Sequence, residues 1–207
     1  MKLLFATRSA GKQREIRRLL EAAGHEVVFP DDVGIPEQAA EDGLETADSF
    51  ETNARRKAEY FLQKSGLPTV ADDSGLEVFS LGGEPGVRSK RWAGASGSAR
   101  QVDAANNALL LRRLLGAPEA RRRARYRCVL VFLPRAAAVP LVFDGTCGGR
   151  ILESPVGEGG FGYDPLFLSD DLGRTFGEAS EAEKDAISHR GVALAKLIAA
   201  LDAPAHG

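Results

Sequence analysis

Cysteine is scarce in this 207-residue chain, occurring only as Cys128 and Cys147. Two thiols exclude a disulfide framework and a four-thiolate zinc site, and both read as buried strand residues. Long apolar runs are missing too. The longest, Cys128 to Leu133 and Ala136 to Phe143, fall far short of the ~20 residues that span a bilayer. The opening Met1-Lys2-Leu3-Leu4-Phe5-Ala6 is too brief for a secretory signal before polar Thr7-Arg8-Ser9 begins. These features predict a cytoplasmic protein with no membrane partner. An excess of one charge is absent as well: Lys+Arg 27 against Asp+Glu 29 leaves a net charge of −2. That balance argues against a surface that tracks a nucleic-acid polymer, while leaving room for a local basic site. Repeats and low-complexity tracts are lacking. Apolar residues at 43% and charged residues at 27% suit a folded single domain over residues 1–207.

Periodicity supplies the elements. Leu3 to Ala6 reads as a short buried strand, and Ile16, Leu19, Leu20 and Ala23 form the apolar stripe of a helix with Gly24 as its left-handed terminus. Glu26 to Phe29 reads as a second strand. A second helix is expected to start near Asp48, capped reciprocally with Glu51, and to bury Phe50, Ala54, Ala58, Phe61 and Leu62 before Gly66 and Pro68 stop it. Thr69-Val70-Ala71 and Leu76 to Phe79 read as strand arms around a turn at Asp72-Asp73-Ser74-Gly75. A third helix over Ser98 to Leu115 is expected to turn Ala105, Ala108, Leu111, Leu114 and Leu115 inward. Alternation over Tyr126, Cys128, Leu130 and Phe132, with Val139 to Phe143 returning, predicts a hairpin. Residues 154–165, glycine-rich and aperiodic, read as an ordered loop or a lid, and a last helix begins near Ser188. The pattern is α/β with a mixed sheet.

Several groups carry possible chemistry. Thr7-Arg8-Ser9-Ala10-Gly11-Lys12 joins a strand to a helix, where backbone N–H groups and the dipole accept an anion, although the P-loop spacing is missing. Adjacent carboxylates in Asp72-Asp73-Ser74 repel each other unless a cation or a proton is held there, and in extended backbone they face opposite ways. Asn53 and Lys57 share one helix face, with Glu45 upstream. Phe161-Gly162-Tyr163-Asp164 presents aromatic faces on a glycine loop that suits base stacking. Lys184, His189 and Arg190 add anion or base-edge readers near a helix start. The Arg121 to Arg127 cluster reads as a solvated strand end.

Taken in order, six blocks resemble the inosine triphosphate pyrophosphatase, or Ham1-like, family over nearly the full chain. They are Ala6-Thr7…Gly11-Lys12…Glu15-Ile16; Phe50…Asn53-Ala54…Lys57-Ala58; Ala71-Asp72-Asp73-Ser74-Gly75-Leu76; Pro85-Gly86…Ser89…Arg91…Ala93-Gly94; Gly160 to Pro165…Phe167; and Glu183-Lys184…Ile187-Ser188-His189-Arg190. The resemblance implies an elongated mixed β-sheet flanked by helices, two lobes with a central cleft, and a homodimer. It also implies Mg²⁺-dependent hydrolysis of non-standard purine nucleoside triphosphates (ITP, dITP, XTP) to monophosphate and pyrophosphate.

By the same resemblance, Thr7, Arg8, Ser9, Ala10, Gly11, Lys12, Asn53 and Lys57 hold the triphosphate. Glu45 and Asp73, assisted by Asp72, bind the metal, and Asp73 is the catalytic base. Ser74, Phe161, Gly162, Tyr163, Asp164, Lys184, His189 and Arg190 enclose the nucleoside. Glu45, eight residues before Asn53, matches the family's acidic position, and Glu41 does not. Ser9 replaces the usual asparagine and Arg88 the usual aromatic residue. Two other readings share these residues: a Maf-like nucleotide pyrophosphatase, against which Ser188-His189-Arg190 speaks, and a nucleotide sensor without catalysis.

Overall fold

A computed structural model describes residues 1–203. Strand β1 (Lys2–Phe5) lies between β2 (Glu26–Val28) and β3 (Thr69–Val78) and runs parallel to both. The sheet continues through β4 (Arg123–Leu133) and β5 (Leu141–Ile151) to β6 (Phe167–Ser169), which is antiparallel to β5, in the order β2-β1-β3-β4-β5-β6. Helices α1 (Ala10–Ala22), α2 (Phe50–Ser65), α3 (Ala99–Arg113), α4 (Glu181–Ile187) and α5 (His189–Asp202) complete the fold. The mixed α/β architecture matches the sequence reading. No helix among the described residues is long and apolar enough to cross a membrane.

The chain divides into two compact units. The first takes residues 1–73, 128–145 and those from 190 on; the second takes 74–127 and 146–189. In the first unit the two-residue period of β1 sorts its side chains. Leu3 and Phe5 pack with Ile16 and Leu20 of α1 and Leu194 and Leu197 of α5, whereas Leu4 and Ala6 pack with Ala54, Ala58 and Phe61 of α2. Helices on both faces explain why the strand sequence is apolar without alternation. The same parity runs along β3, where Val70 joins the first cluster and Ala71 the second. In the second unit, Leu76, Val78, Leu110, Leu114, Tyr126 and Phe167 anchor a separate core. Cys128 and Cys147 are free and buried, as the sequence suggested.

Four local expectations are corrected and one helix, α4, is added. Helix α2 starts at Phe50, because Ser49 rather than Asp48 adopts the extended cap geometry and accepts the Thr52 N–H. Asp72 to Gly75 forms no turn and continues β3 as strand. Helix α3 buries Asn106, Leu110 and Leu114 at four-residue spacing and ends at Arg113, so Leu115 leaves the stripe and is 85% exposed, with Ala108 also outward. A separate α4, capped by the reciprocal Ser180 and Glu183 pair, precedes α5, and extended Ser188 divides the two. Arg122, expected in solvent, is buried and donates to the Leu114, Ala117 and Leu152 carbonyls at 2.8, 3.1 and 3.1 Å. It thereby satisfies acceptors left over where α3 stops.

Gly75 explains how the strand passes the expected turn. The Leu76 N–H donates to Ser89 Oγ at 2.9 Å, and that hydroxyl donates to the Gly86 carbonyl at 2.6 Å. A Cβ at residue 75 would stand 2.2 Å from the Gly86 carbonyl oxygen and 2.6 Å from Ser89 Oγ. Gly75→Ala is therefore expected to destabilise the protein by about 1–3 kcal/mol, the range for overpacking against an unyielding neighbour. Urea unfolding checks this, and an unchanged midpoint would refute the close-approach argument.

Candidate functional site

In the first unit, β3 places two acids side by side and its pleat separates their carboxylates. Asp72, with the parity of Val70, meets Lys12 of α1 at 2.7 Å and Arg190 of α5 at 3.6 Å. Asp73, with the parity of Ala71, accepts from Asn53 Nδ2 of α2 at 2.8 Å. Lys57, one turn along α2, donates to Glu45 at 2.6 Å and to the Asp72 backbone carbonyl at 2.5 Å. Asn53 also exchanges two hydrogen bonds with the Ala47 backbone, at 2.9 and 3.2 Å, and so fixes the segment that carries Glu45. Arg190 makes a second ion pair with Glu15 of α1.

The electrostatics diverge along the strand. Burial alone would raise the Asp72 carboxyl, but the Lys12, Lys57 and Arg190 charges outweigh it and hold the group well below the usual carboxylate range. Burial pushes Asp73 up to about 6, and neighbouring Glu45 adds to that rise against the opposing Lys57, Lys12 and Asn53. Burial opposes ionisation of Glu45 and of Lys57, yet each holds the other charged: Glu45 is lowered and Lys57 raised. Burial likewise disfavours the Arg190 cation, and Glu15 and Asp72 more than restore it.

Thr7 to Lys12 spans the turn from β1 into α1. Thr7 Oγ1 accepts the Ser9 N–H at 3.3 Å, and Ser9 occupies the cap position without a side-chain cap hydrogen bond. Ala10 and Gly11 lie in the first helical turn, which contains no acid. The turn therefore keeps the positive end of its dipole. Arg8, expected at a ligand, is instead held by Glu41 at 2.7 and 2.8 Å, by Asp31 and by the Ile35 carbonyl. Glu41 is thereby placed on Arg8 and Glu45 on Lys57. Arg190, expected at a base edge, has its guanidinium on the two acids Glu15 and Asp72.

The chemistry of the donors suits a hard divalent cation, since Glu45 and Asp73 offer carboxylate oxygens and their mutual repulsion is relieved by positive charge. Among the described residues no group of three or more such side chains is arranged as a ready metal site. Asp72, expected to assist at the metal, is already engaged by Lys12 and Arg190.

In the second unit, Asp164 collects a different set. One carboxylate oxygen accepts from Lys184 Nζ at 2.5 Å and from the Phe161 N–H at 2.8 Å, and the other accepts from the Tyr126 hydroxyl at 3.2 Å. The Lys184 ammonium lies 4.7 Å from the Phe161 ring centroid. His189 stacks on Tyr126 with centroids 4.7 Å apart and planes 9° apart. The Tyr163 hydroxyl donates to the Ser89 carbonyl at 2.8 Å. Gly162 gives its N–H to Asp103 at 2.8 Å and accepts from Asn107 at 3.0 Å. Ser74 lies on β3 at the start of this unit.

Sequence reasoning missed Tyr126 as a partner of Asp164, and it missed Asp103 and Asn107. Polar residues spaced four apart in an otherwise apolar-rich helix are the signal that would have pointed to the latter two. Glu15 stood inside a quoted block without a role, and its position beside Ile16 on the inward face of α1 was the available clue.

The chain matches the Ham1 family over residues 3–200. It is 48% identical to the dITP/XTP pyrophosphatase of Mycolicibacterium paratuberculosis, covering 97% of this chain and 95% of that one. It is 45% identical to the dITP/XTP pyrophosphatase of Halorhodospira halophila over the whole of both. Among solved structures, a HAM1 protein from Coxiella burnetii superposes with a TM-score of 0.83 at 34% identity, covering 97% of this chain and 98% of that one. A nucleoside-triphosphatase, dITP/XTP pyrophosphatase, from Mycobacterium abscessus gives 0.72 at 43% identity, covering 95% and 98%. With the sequence matched almost end to end and the fold shared, the chain belongs to the Ham1 family.

Proposed function

We propose that this protein hydrolyses non-standard purine nucleoside triphosphates, ITP, dITP and XTP, to the monophosphate and pyrophosphate, with Mg²⁺. On this reading it acts in the cytoplasm as a homodimer, with residues 1–207 as one functional domain and with no nucleic-acid polymer or membrane as partner. The observation that carries the reading is the buried charge cluster of the first unit, in which Lys12, Lys57 and Arg190 converge on Asp72 and Glu45 beside a raised Asp73. Relatives named dITP/XTP pyrophosphatase, at 44–48% identity, support the substrate class.

Each residue then has a task. The turn Thr7 to Lys12 receives phosphate oxygens on backbone N–H groups at the start of α1, and the Lys12 ammonium adds a full charge. Lys57 and Asn53, which donate to Glu45 and Asp73, would also hold the triphosphate. Glu45 and Asp73 would hold Mg²⁺, which when bound supplies charge neutralisation for the phosphates. On this reading Asp73 also takes the proton of the attacking water as general base. Asp72, ionised throughout, aims Lys12 and Arg190. In the second unit, Phe161 offers its ring to the base, and Ser74, Gly162, Tyr163, Asp164, Lys184 and His189 frame the nucleoside. Arg8 acts through Glu41 and Asp31, which it ties to the phosphate-binding turn.

Pyrophosphate release measured on ITP, XTP, ATP, dTTP and UTP with Mg²⁺ tests the proposal. Pyrophosphate rather than orthophosphate is expected, with kcat/KM for ITP and XTP exceeding that for ATP by about 10² or more, because a site that hydrogen-bonds a 6-carbonyl leaves polar groups unpaired against adenine. Preference for dTTP or UTP would favour the Maf-like reading, and tight binding without turnover would favour a sensor. Either outcome overturns the assignment.

The metal reading has its own check. Mg²⁺ is expected to raise the melting temperature of the wild-type protein, to have little such effect on Glu45→Gln or Asp73→Asn, and to be indispensable for turnover. Activity that persists in excess chelator would remove Glu45 and Asp73 from the metal.

A further inference from the structure

One feature of the second unit goes beyond the residues that frame the nucleoside. Both backbone polar groups of Gly162 are taken by a single helix. Asp103 Oδ2 accepts its N–H at 2.8 Å, and Asn107 Nδ2 donates to its carbonyl at 3.0 Å. Asp103 and Asn107 are four apart in α3 and therefore lie on one face. An acceptor opposite the N–H and a donor opposite the C=O make a matched clamp on one peptide residue. Asn107 Oδ1 is buried and accepts nothing among the described residues, so the bond to Gly162 is what orients this side chain. The loop backbone is pinned again one residue earlier, where the Phe161 N–H donates to Asp164.

Gly162 has a φ of +65°, a left-handed conformation that glycine adopts without strain. Its plane fixes the direction in which the chain leaves Phe161. With the Phe161 N–H held by Asp164 and the following residue held at both ends by α3, the backbone that carries the ring beside the Lys184 ammonium is fixed on both sides.

We propose that Asp103 and Asn107 are positioning residues for the purine base: through Gly162 they hold the Phe161 ring in the orientation that stacks on the base. This rests on the reading of Phe161 as the stacking surface. Neither residue touches substrate. Their contribution is preorganisation, so their loss weakens binding of the nucleoside and leaves the phosphate chemistry alone.

The test uses steady-state kinetics on ITP together with inhibition by inorganic triphosphate, which has no base. Asn107→Asp replaces the donor with an acceptor facing the Gly162 carbonyl and is expected to raise KM for ITP about 5- to 10-fold, as loss of one hydrogen bond implies. kcat should stay within about twofold and the inhibition constant of triphosphate should not move, a split that the positioning role requires. Asp103→Ala is expected to behave in the same way, whereas Asp103→Asn keeps an acceptor and should restore KM. Amide exchange at Gly162 should accelerate in Asn107→Asp and Asp103→Ala, and this readout is independent of turnover.

Phe161→Ala separates the two levels of the argument. If it raises KM for ITP while Asn107→Asp does not, the clamp is refuted and the stacking reading stands. If Phe161→Ala leaves KM unchanged, the stacking reading fails and the positioning role falls with it. An equal rise in KM for ITP and in the triphosphate constant would also overturn the proposal, because the clamp would then act on the whole site.

Discussion

Two consecutive carboxylates buried in one strand are the constraint on which the first unit depends. Asp72 is fully buried and Asp73 nearly so, and an ionised carboxylate removed from water without compensation costs several kcal/mol. The pleat of β3 sends the two side chains to opposite faces, so each takes its direct partners from different helices, although the Lys12 and Lys57 charges act on both. Compensation for Asp72 must come from the α1 and α5 face, and Lys12 and Arg190 supply it. Asp73 on the α2 face has an amide from Asn53 and the nearby Lys57, but also the repulsion of Glu45. The positions of three helices against β3 are thus tied to one dipeptide.

The carboxyls in that cluster are not equivalent. Glu15, Glu45, Asp72 and Asp73 lie among Lys12, Lys57 and Arg190. Burial pushes the Asp73 carboxyl upward and Glu45 adds to the rise, while nearby cations outweigh burial at Asp72 and Glu45 and push them down. Burial and the cations on the opposite face thus distinguish Asp73 from Asp72, a pair that the sequence presents as equivalent.

Much of this was legible in the sequence for identifiable reasons. The strands with helices on both faces, Leu3 to Phe5 above all, showed as short continuous apolar runs, and α2 showed as a clear stripe ended by Gly66. The opposed directions of Asp72 and Asp73 followed from strand pleat alone. What stayed hidden were features set by long-range partners. The Asp-Asp-Ser-Gly segment has turn composition, and only the Ser89 hydroxyl and the Gly86 carbonyl packed on Gly75 reveal it as strand. Arg122 looked solvated because its acceptors are carbonyls, which leave no trace in side-chain patterns. The resemblance assigns Arg8 and Arg190 to ligands, and it carries no sign of their pairing with the acids Glu41 and Glu15, which come from distant positions in the chain.

The loop of residues 154–165 raises the opposite problem, order without regular structure. Long irregular segments in a folded domain are uncommon unless they carry function, and this one replaces ladder hydrogen bonds with an assortment of others. Val156 N–H reaches the Pro165 carbonyl, Gly159 N–H reaches Gly177, and Asp164 gathers Lys184, Tyr126 and Phe161 on one carboxylate. Glycine is required at residue 157, where a Cβ would meet the Gly177 backbone at 2.3 Å. Such a segment could have been made rigid more simply as a helix or a hairpin. Irregular backbone instead lets Phe161, Tyr163 and Asp164, within four consecutive residues, address three different sets of partners, which neither a 3.6-residue nor a two-residue period allows. Backbone held at Val156, Gly159, Phe161 and Gly162 by partners that belong to no ladder is what keeps those three directions fixed.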